Sequence, residues 1–99
     1  MSNPESGTGV AIRQNRACHF DPNFIEDLEW WVESKRGIAL RVLSLVKAVL
    51  RDPHDGIGKP ERLKSLGSGV WSRRITQEHR LVYLVLEDRV VFLMARYRY

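Results

Sequence analysis

The sequence predicts an α+β domain in which two N-terminal helices pack on a small antiparallel sheet. Two features predict this class. Residues 21–52 repeat apolar side chains at the three- and four-residue spacing of a helix. Residues 62–99 form short runs rich in β-branched and aromatic side chains, separated by turn residues. Because the connections between these runs are short, we expect an antiparallel meander that lies against the helices.

The chain is long enough for one domain. It has 99 residues, of which 43% are hydrophobic, and this suffices for a single core without metal or disulfide support. We expect residues 1–12 to form a flexible tail, because they lack hydrophobic periodicity, and residues 13–99 to form the domain. Cys18 has no second cysteine to pair with, and no run is long and apolar enough to span a bilayer. These features favour a cytoplasmic location, with Cys18 as a small buried hydrophobe.

The net charge of +4 is unevenly distributed. Residues 1–61 hold eight Lys or Arg and nine Asp or Glu, whereas residues 62–99 hold eight and three. The second part of the chain therefore has a net charge of +5 against −1 for the first. A basic surface of this kind attracts nucleic acid and makes its binding sensitive to salt.

The first elements are predicted from capping residues and apolar stripes. A short first strand is expected at residues 16–20. Asp21 and Pro22 then mark a helix start, since Asp is a favoured N-cap and Pro a favoured first helical residue. Phe24, Leu28 and Trp31 follow at i, i+4 and i+7.

A second helix is predicted after Gly37, which we expect to interrupt the helical pattern. Its apolar face consists of Ile38, Val42, Leu45, Val46 and Val49. The pair Asp52-Pro53 ends this helix. Residues 54–61 are rich in Gly and Pro, which favours a defined loop without regular structure.

Four strands are predicted in the rest of the chain, at residues 62–65, 70–76, 80–86 and 90–99. The period-two alternation of a strand places Arg74 and Arg80 on one face, where they are expected to converge across a hairpin. Arg73 alternates away from Arg74, and we expect it to be solvated or to face a partner.

Three segments of the sequence match a known family. They are Gly58-Lys59-Pro60-Glu61-Arg62-Leu63-Lys64, the run from Trp71 to Tyr83, and Arg96-Tyr97-Arg98-Tyr99. With them, residues 19–99 resemble the YoeB (Txe) toxins of the RelE superfamily. The resemblance implies a microbial-RNase-like α+β fold, commonly dimeric, and a ribosome-dependent endoribonuclease that cuts translated mRNA in the A site. It also implies a cognate antitoxin as partner, beside the ribosome and mRNA.

Metal-free RNA cleavage requires a base for the 2′-OH proton, cations for the charge on the phosphorane, and an acid for the leaving 5′-oxygen. The resemblance implies that Glu61 is the base and that Tyr99 positions the nucleotide. Catalytic roles are thus expected for Glu61, Arg80, Arg98 and Tyr99. RNA or phosphate binding is expected for Lys59, Lys64, Arg74 and Arg96. No cofactor, metal or membrane is implied.

The sequence departs from the family at Arg98, where the family usually has a histidine assigned as the general acid. Arginine, with a pKa above about 12, is a poor proton donor near neutral pH. Loss of a general acid costs about two to four orders of magnitude in rate. Arg98 is therefore either a substitute that donates weakly or acts by charge, or a disarming change. Two alternative functions stay open: a catalytically weak or silent RNA- or ribosome-binding translation blocker, and an interaction domain whose basic sheet serves only an antitoxin.

The remaining aromatic residues have structural interpretations. Trp71 and Tyr83 are expected in the core or packed on the sheet, and Trp30 and Trp31 at the helix–sheet contact or a dimer interface. His79 is expected to be a hydrogen-bonded structural residue. The three histidines share no metal-ligand spacing, which disfavours zinc.

Overall fold

The structure, a computed structural model, describes residues 16–97. The predicted tail at residues 1–12 and the predicted site residues Arg98 and Tyr99 lie outside this range. The elements are β1 (Ala17–Phe20), α1 (Pro22–Ser34), α2 (Arg36–Arg51), β2 (Glu61–Arg62), a 3₁₀ turn (Lys64–Leu66), β3 (Val70–Arg74), β4 (Arg80–Val85) and β5 (Arg89–Met94). The predicted α+β class, with two helices ahead of the main run of strands, is confirmed.

The five strands form one sheet in the order β1-β5-β4-β3-β2. Strands β2 to β5 are antiparallel neighbours, as predicted. Strand β1 pairs in parallel with β5, from Ala17 opposite Arg89 to Phe20 opposite Phe92. The sheet is therefore mixed rather than wholly antiparallel. Local periodicity carries no information on the direction of a distant partner, so the sequence did not reveal this pairing.

Both helices begin and end close to their predicted positions. The Asp21 carboxylate accepts a hydrogen bond from the Asn23 N–H at 2.8 Å, and Pro22 occupies the first helical position. The prediction for Gly37 was wrong, because the break between the helices lies at Lys35, whose φ is −149°. Gly37 is part of the first turn of α2.

The four strands predicted after the loop are all shorter than expected, β2 and β5 the most in proportion to their length. Strand β2 has two residues, and the chain then turns into the 3₁₀ segment. Strand β5 ends at Met94 because the backbone of Ala95 bonds to α1 instead: its N–H donates to Asp27 Oδ2 at 2.9 Å, and its carbonyl accepts from Trp31 Nε1 at 2.7 Å. These bonds turn the C-terminal segment out of the ladder.

The main core lies between the helices and one face of the sheet. Its largest buried side chains include Phe24, Trp31, Leu45, Leu81, Tyr83 and Phe92. Cys18 packs against this core but is only half-buried, and burial raises the pKa of its thiol. Among residues 16–97, neither helix is long and apolar enough to cross a membrane.

A second, smaller apolar cluster lies on the opposite face of the sheet. It consists of Leu63, Val70 and Val82, with Leu84, Leu93 and Met94 packed around it. Leu63 reaches this face because the chain folds over the sheet directly after β2. The cluster fills part of the face away from the helices and leaves the rest to polar residues.

Candidate active site

The face of the sheet away from the helices brings the predicted arginines together. Ser72 lies opposite Val82, and Arg74 opposite Arg80, in the antiparallel β3–β4 pair. Residues directly opposite each other in such a pair point to the same face. Because Val82 belongs to the second apolar cluster, both arginines belong to that face too. The predicted convergence of Arg74 and Arg80 across the hairpin is confirmed.

Glu61 lies on the next strand of this face. It pairs with Ser72, so Arg74 is its diagonal neighbour on β3. Diagonal neighbours in an antiparallel pair are about 7–8 Å apart, within the reach of an arginine side chain. Glu61 is exposed, whereas Arg74 and Arg80 are half-buried. A solvent-accessible carboxylate therefore lies beside two cations held in the sheet.

Two further segments reach the corner where the arginines lie. The Arg74 N–H donates to the Gly58 carbonyl at 2.6 Å, which places Lys59 next to the end of β3. The Arg80 N–H donates to the Tyr97 carbonyl at 3.2 Å, which brings in the C-terminal segment. Arg41 of α2 also contributes, since it donates to the Arg74 carbonyl at 3.0 Å, and no pattern in the sequence predicts this contact.

Three polar atoms on this face are buried and have no hydrogen-bond partner within residues 16–97. They are Ser72 Oγ, Arg74 Nε and Arg80 Nε. Buried polar groups in folded proteins are nearly always hydrogen-bonded. Two of the three atoms are donors on permanent cations, and such donors favour anionic oxygen acceptors. The arrangement can bind an anion beside the carboxylate of Glu61.

Two residues predicted to bind phosphate, Lys64 and Arg96, do not lie beside Arg74 and Arg80 on the strands of the open face. Lys64 is exposed in the 3₁₀ turn that follows β2. Arg96 turns to the helix side, where its guanidinium lies 3.6 Å from the centroid of the Trp30 ring. There it lines a cleft with four acidic residues of α1, Glu26, Asp27, Glu29 and Glu33. The structure does not bring Arg96 together with Arg74 and Arg80.

Comparisons with known proteins show the family of this chain. A family described as "YoeB-like toxin of bacterial type II toxin-antitoxin system" matches residues 20–99. This chain belongs to that family. It is 49% identical over 84 residues to Toxin YoeB of Mycobacterium bovis, which covers 85% of this chain and 99% of that protein. The resemblance of the three sequence segments is confirmed.

Solved structures of YoeB proteins share the fold. The YoeB dimer from Staphylococcus aureus matches with a TM-score of 0.77 and 35% identity, over 85% of this chain and 98% of that one. The toxin of the S. aureus YoeB–YefM complex matches with a TM-score of 0.73 at the same identity and coverage. The likeness thus extends over most of this chain and nearly all of those chains.

Aromatic residues anchor the C-terminal segment of this YoeB-like toxin. His79 Nδ1 accepts a hydrogen bond from the Tyr97 N–H at 2.6 Å, which confirms the predicted structural role of His79. The ring of His79 lies edge-on to Trp31, with centroids 4.8 Å apart. Trp31 is buried at the helix–sheet contact, whereas Trp30 is partly exposed. Trp71 and Tyr83 pack in the main core, as predicted.

The prediction for Arg73 was wrong. Its side chain is fully buried on the helix side of β3. Nε donates to Tyr83 Oη at 3.1 Å, Nη1 to the Ile57 carbonyl at 3.2 Å, and Nη2 to the carbonyls of Asp52 and Asp55. Arg73 does point away from Arg74, as strand alternation predicts, but the loop after α2 covers this side of the sheet with carbonyl groups. A loop conformation of this kind leaves no signal in the sequence.

Burial also affects the partner of Arg73. It raises the pKa of the Tyr83 phenol above its ordinary value, although the hydrogen bond and the charge of Arg73 act in the opposite direction. Tyr83 Oη in turn donates to the Pro53 carbonyl at 2.8 Å.

In the described part of the chain, no group of three or more His, Cys, Asp or Glu side chains is placed to hold a metal ion.

Proposed function

We propose that this YoeB-like toxin is a metal-independent endoribonuclease that cuts translated mRNA in the ribosomal A site and thereby inhibits translation. One observation supports it above the others. An exposed carboxylate, Glu61, shares a sheet face with guanidinium nitrogens of Arg74 and Arg80 that have no acceptor within residues 16–97. A base beside a phosphate-binding pair is what cleavage by an internal 2′-OH requires.

In this mechanism Glu61 accepts the proton of the 2′-OH as that oxygen attacks the adjacent phosphorus. Negative charge develops on the non-bridging oxygens, and Arg74 and Arg80 stabilise it through charge-assisted hydrogen bonds. Both cations are held in paired strands, so little reorganisation is needed when the charge develops. Lys59 and Lys64 lie in the exposed segments on either side of Glu61 and contact flanking phosphates.

The leaving 5′-oxygen needs a proton, and Arg98 occupies the position of the family's usual histidine. Arg98 stabilises the leaving oxygen by its charge and donates a proton poorly. Tyr99 orients the nucleotide. This substitution is the ground for one alternative function, a translation blocker that occupies the A site and cleaves slowly or not at all.

Two protein partners follow from the relatives. The S. aureus YoeB structures include a dimer and a complex with YefM. We expect this chain to dimerise and to bind a cognate antitoxin. An acidic, disordered antitoxin segment would be attracted to the basic corner formed by Lys59, Arg74 and Arg80 and would fold on binding.

Mapping of mRNA 5′ ends in a purified translation system tests the proposal. We expect codon-phased cuts with the wild-type protein and none with Glu61→Gln. Glu87→Gln is a matched control, because Glu87 is an exposed carboxylate in the turn between β4 and β5. Inhibition of translation by the wild type without new 5′ ends would favour the blocker and overturn the nuclease.

A further inference from the structure

We propose that Arg73 is a positioning residue that holds the loop of residues 52–60 in place and thereby sets the position of Glu61. The proposal rests on the proposed function, in which Glu61 is the base. Arg73 itself does not reach the open face of the sheet, since its side chain is buried on the helix side. It acts through the backbone of the loop that leads from α2 into β2.

The loop is held almost entirely by its carbonyl groups. Of the seven carbonyls in residues 52–58, five accept hydrogen bonds from β3 or β4. Arg73 bonds to those of Asp52, Asp55 and Ile57; Tyr83 Oη bonds to that of Pro53; and the Arg74 N–H bonds to that of Gly58. Three of the five bonds thus depend on one guanidinium.

The charge of Arg73 has no carboxylate partner within residues 16–97, where the ion pair found is the surface pair Arg89–Asp88. The carboxylates of Asp52 and Asp55 bond instead to the N–H groups of His54 and Gly56, at 3.0 and 2.9 Å. Loop carbonyls therefore take the place of a counter-ion. If the loop opened, a buried cation would lose its acceptors, and this penalty ties the loop to Arg73.

Close packing restricts the loop further at Gly58. Its φ is +87°, and a Cβ at this position would lie 2.8 Å from Leu45 Cδ2 and 3.1 Å from Arg73 Cβ. The chain therefore passes in direct contact between α2 and the stem of Arg73. It then enters β2, where Glu61 pairs with Ser72, the residue before Arg73. Arg73 thus controls the backbone on which Glu61 is mounted.

The fork of an arginine is needed for this arrangement. Four acceptors lie around three nitrogens of one planar group, Nε, Nη1 and Nη2. A lysine ammonium is a point donor and cannot reach acceptors on several sides at once. If this position only had to be filled, an apolar side chain of similar volume would suffice and would avoid the desolvation cost of a buried cation. The hydrogen bonds to the loop are what an arginine adds.

Hydrogen–deuterium exchange on the full chain tests the role of Arg73 independently of activity. In Arg73→Lys and in Tyr83→Phe, we expect the amide of Arg74, whose bond to the Gly58 carbonyl reports on the loop, to exchange at least about tenfold faster, while the amides of β4 change much less. Arg89→Lys is the matched control, because Arg89 is a half-exposed strand arginine in a surface ion pair. Unchanged exchange of the Arg74 amide, or a change equal to that of β4, would overturn the proposal.

Single-turnover cleavage on programmed ribosomes tests the link to Glu61. A displaced base should lower the maximal rate by about tenfold or more and leave the half-saturating toxin concentration within about twofold of the wild type. A loosened loop with a wild-type rate would overturn positioning and leave the nuclease intact. If the wild type makes no Glu61-dependent cuts, the proposed function fails, and exchange still decides whether Arg73 holds the loop. Should Arg73→Lys fail to fold, the milder Tyr83→Phe decides both questions.

Discussion

The two sides of strand β3 place neighbouring arginines in opposite environments. Arg73 faces the helices, where it is fully buried and donates to four oxygen acceptors. Arg74 faces the open side, where its buried Nε has no acceptor in the described part of the chain. Both residues have the same charge and the same strand geometry, so the difference lies in what covers each side. An arginine whose three nitrogens all have acceptors supports structure, and one with a buried nitrogen that lacks an acceptor is available to a ligand.

The same contrast holds for the two sides of the whole sheet. The helix side carries the main core, and Arg73, Tyr83 and the loop carbonyls bond to one another there. Arg96 Nε, beside Trp30, is an exception, since it is buried without a partner within residues 16–97. The open side carries a smaller apolar cluster, and Ser72, Arg74 and Arg80 beside it keep unpartnered polar atoms among the described residues. The buried donors that lie beside Glu61 and lack an acceptor in the described part of the chain are thus on the open face.

Removal of the proposed base on the open side should have the largest effect. Glu61→Gln is expected to lower the cleavage rate by about two to four orders of magnitude, because the 2′-OH loses its proton acceptor. The thermal midpoint should hardly change, since Glu61 is exposed. Single-turnover cleavage together with a melting curve checks both statements, and a large loss of stability would mean that Glu61 is structural.

Substitution of the two neighbouring arginines tests the contrast directly. Arg73→Met should lower the free energy of unfolding by about 2–4 kcal/mol, because several loop carbonyls lose their donor. Arg74→Met should change it by less than about 1 kcal/mol and weaken RNA binding instead. Urea denaturation and an RNA-binding titration of both variants suffice. Equal effects of the two substitutions on stability would contradict the assignment of one arginine to structure and the other to a ligand.

Salt dependence separates phosphate contacts from general charge. Arg80→Gln should weaken RNA or ribosome binding and reduce the slope of log K against log salt concentration by about 0.7, the contribution of one contact to single-stranded RNA. Arg89→Gln, at the far end of the sheet, serves as control and should leave the slope unchanged. If both variants lose the same slope, the open face has no special role in binding.

A histidine placed at position 98, where the family usually has one, should change the cleavage rate. Arg98→His is expected to raise the cleavage rate by at least about tenfold if proton donation to the leaving oxygen limits the reaction. The gain should fall away as pH rises through the pKa of a histidine, about 6.5. A rate that stays level or declines would show that Arg98 is an adequate substitute.

The smallest effect is expected in alkaline solution, on the helix side. The pKa of Tyr83 in the folded protein is raised above its ordinary value of 10.0, so its contribution to stability is complete below that pH and is lost as pH rises further. Tyr83→Phe should therefore lose less stability than the wild type between pH 9 and pH 11, on the order of 1 kcal/mol less. Cys18→Ala should be measured beside it, because burial raises the pKa of the Cys18 thiol as well, and this group therefore contributes to the loss of stability in alkaline solution.

Much of the fold could be predicted because its signals are local. The cap formed by Asp21 and Pro22 and the apolar stripe of α2 require only nearby residues. The pairing of Arg74 with Arg80 follows from strand alternation across a short turn, so the two arginines of the candidate site could be placed together from local signals. Glu61 was different, since its role was inferred from the resemblance to YoeB toxins.

Other features depend on contacts between distant parts of the chain. The parallel pairing of β1 with β5 joins residues about seventy positions apart, and the early end of β5 follows from bonds of Ala95 to α1. The placement of Arg96 over Trp30 depends on the same turn away from the sheet. None of these contacts has a periodicity or a capping signature of its own.

Local patterns and motifs in the chain suffice to predict the helices, the antiparallel strands, the face on which Arg74 and Arg80 meet, and the family. Tertiary structure alone decided that Arg73 would be buried, that the loop before Glu61 would turn its carbonyls toward it, and that Arg96 would leave the site. Strand alternation and helical period predict only the direction in which a side chain points. Whether that direction leads to water, to an apolar core or to loop carbonyls depends on how the elements pack.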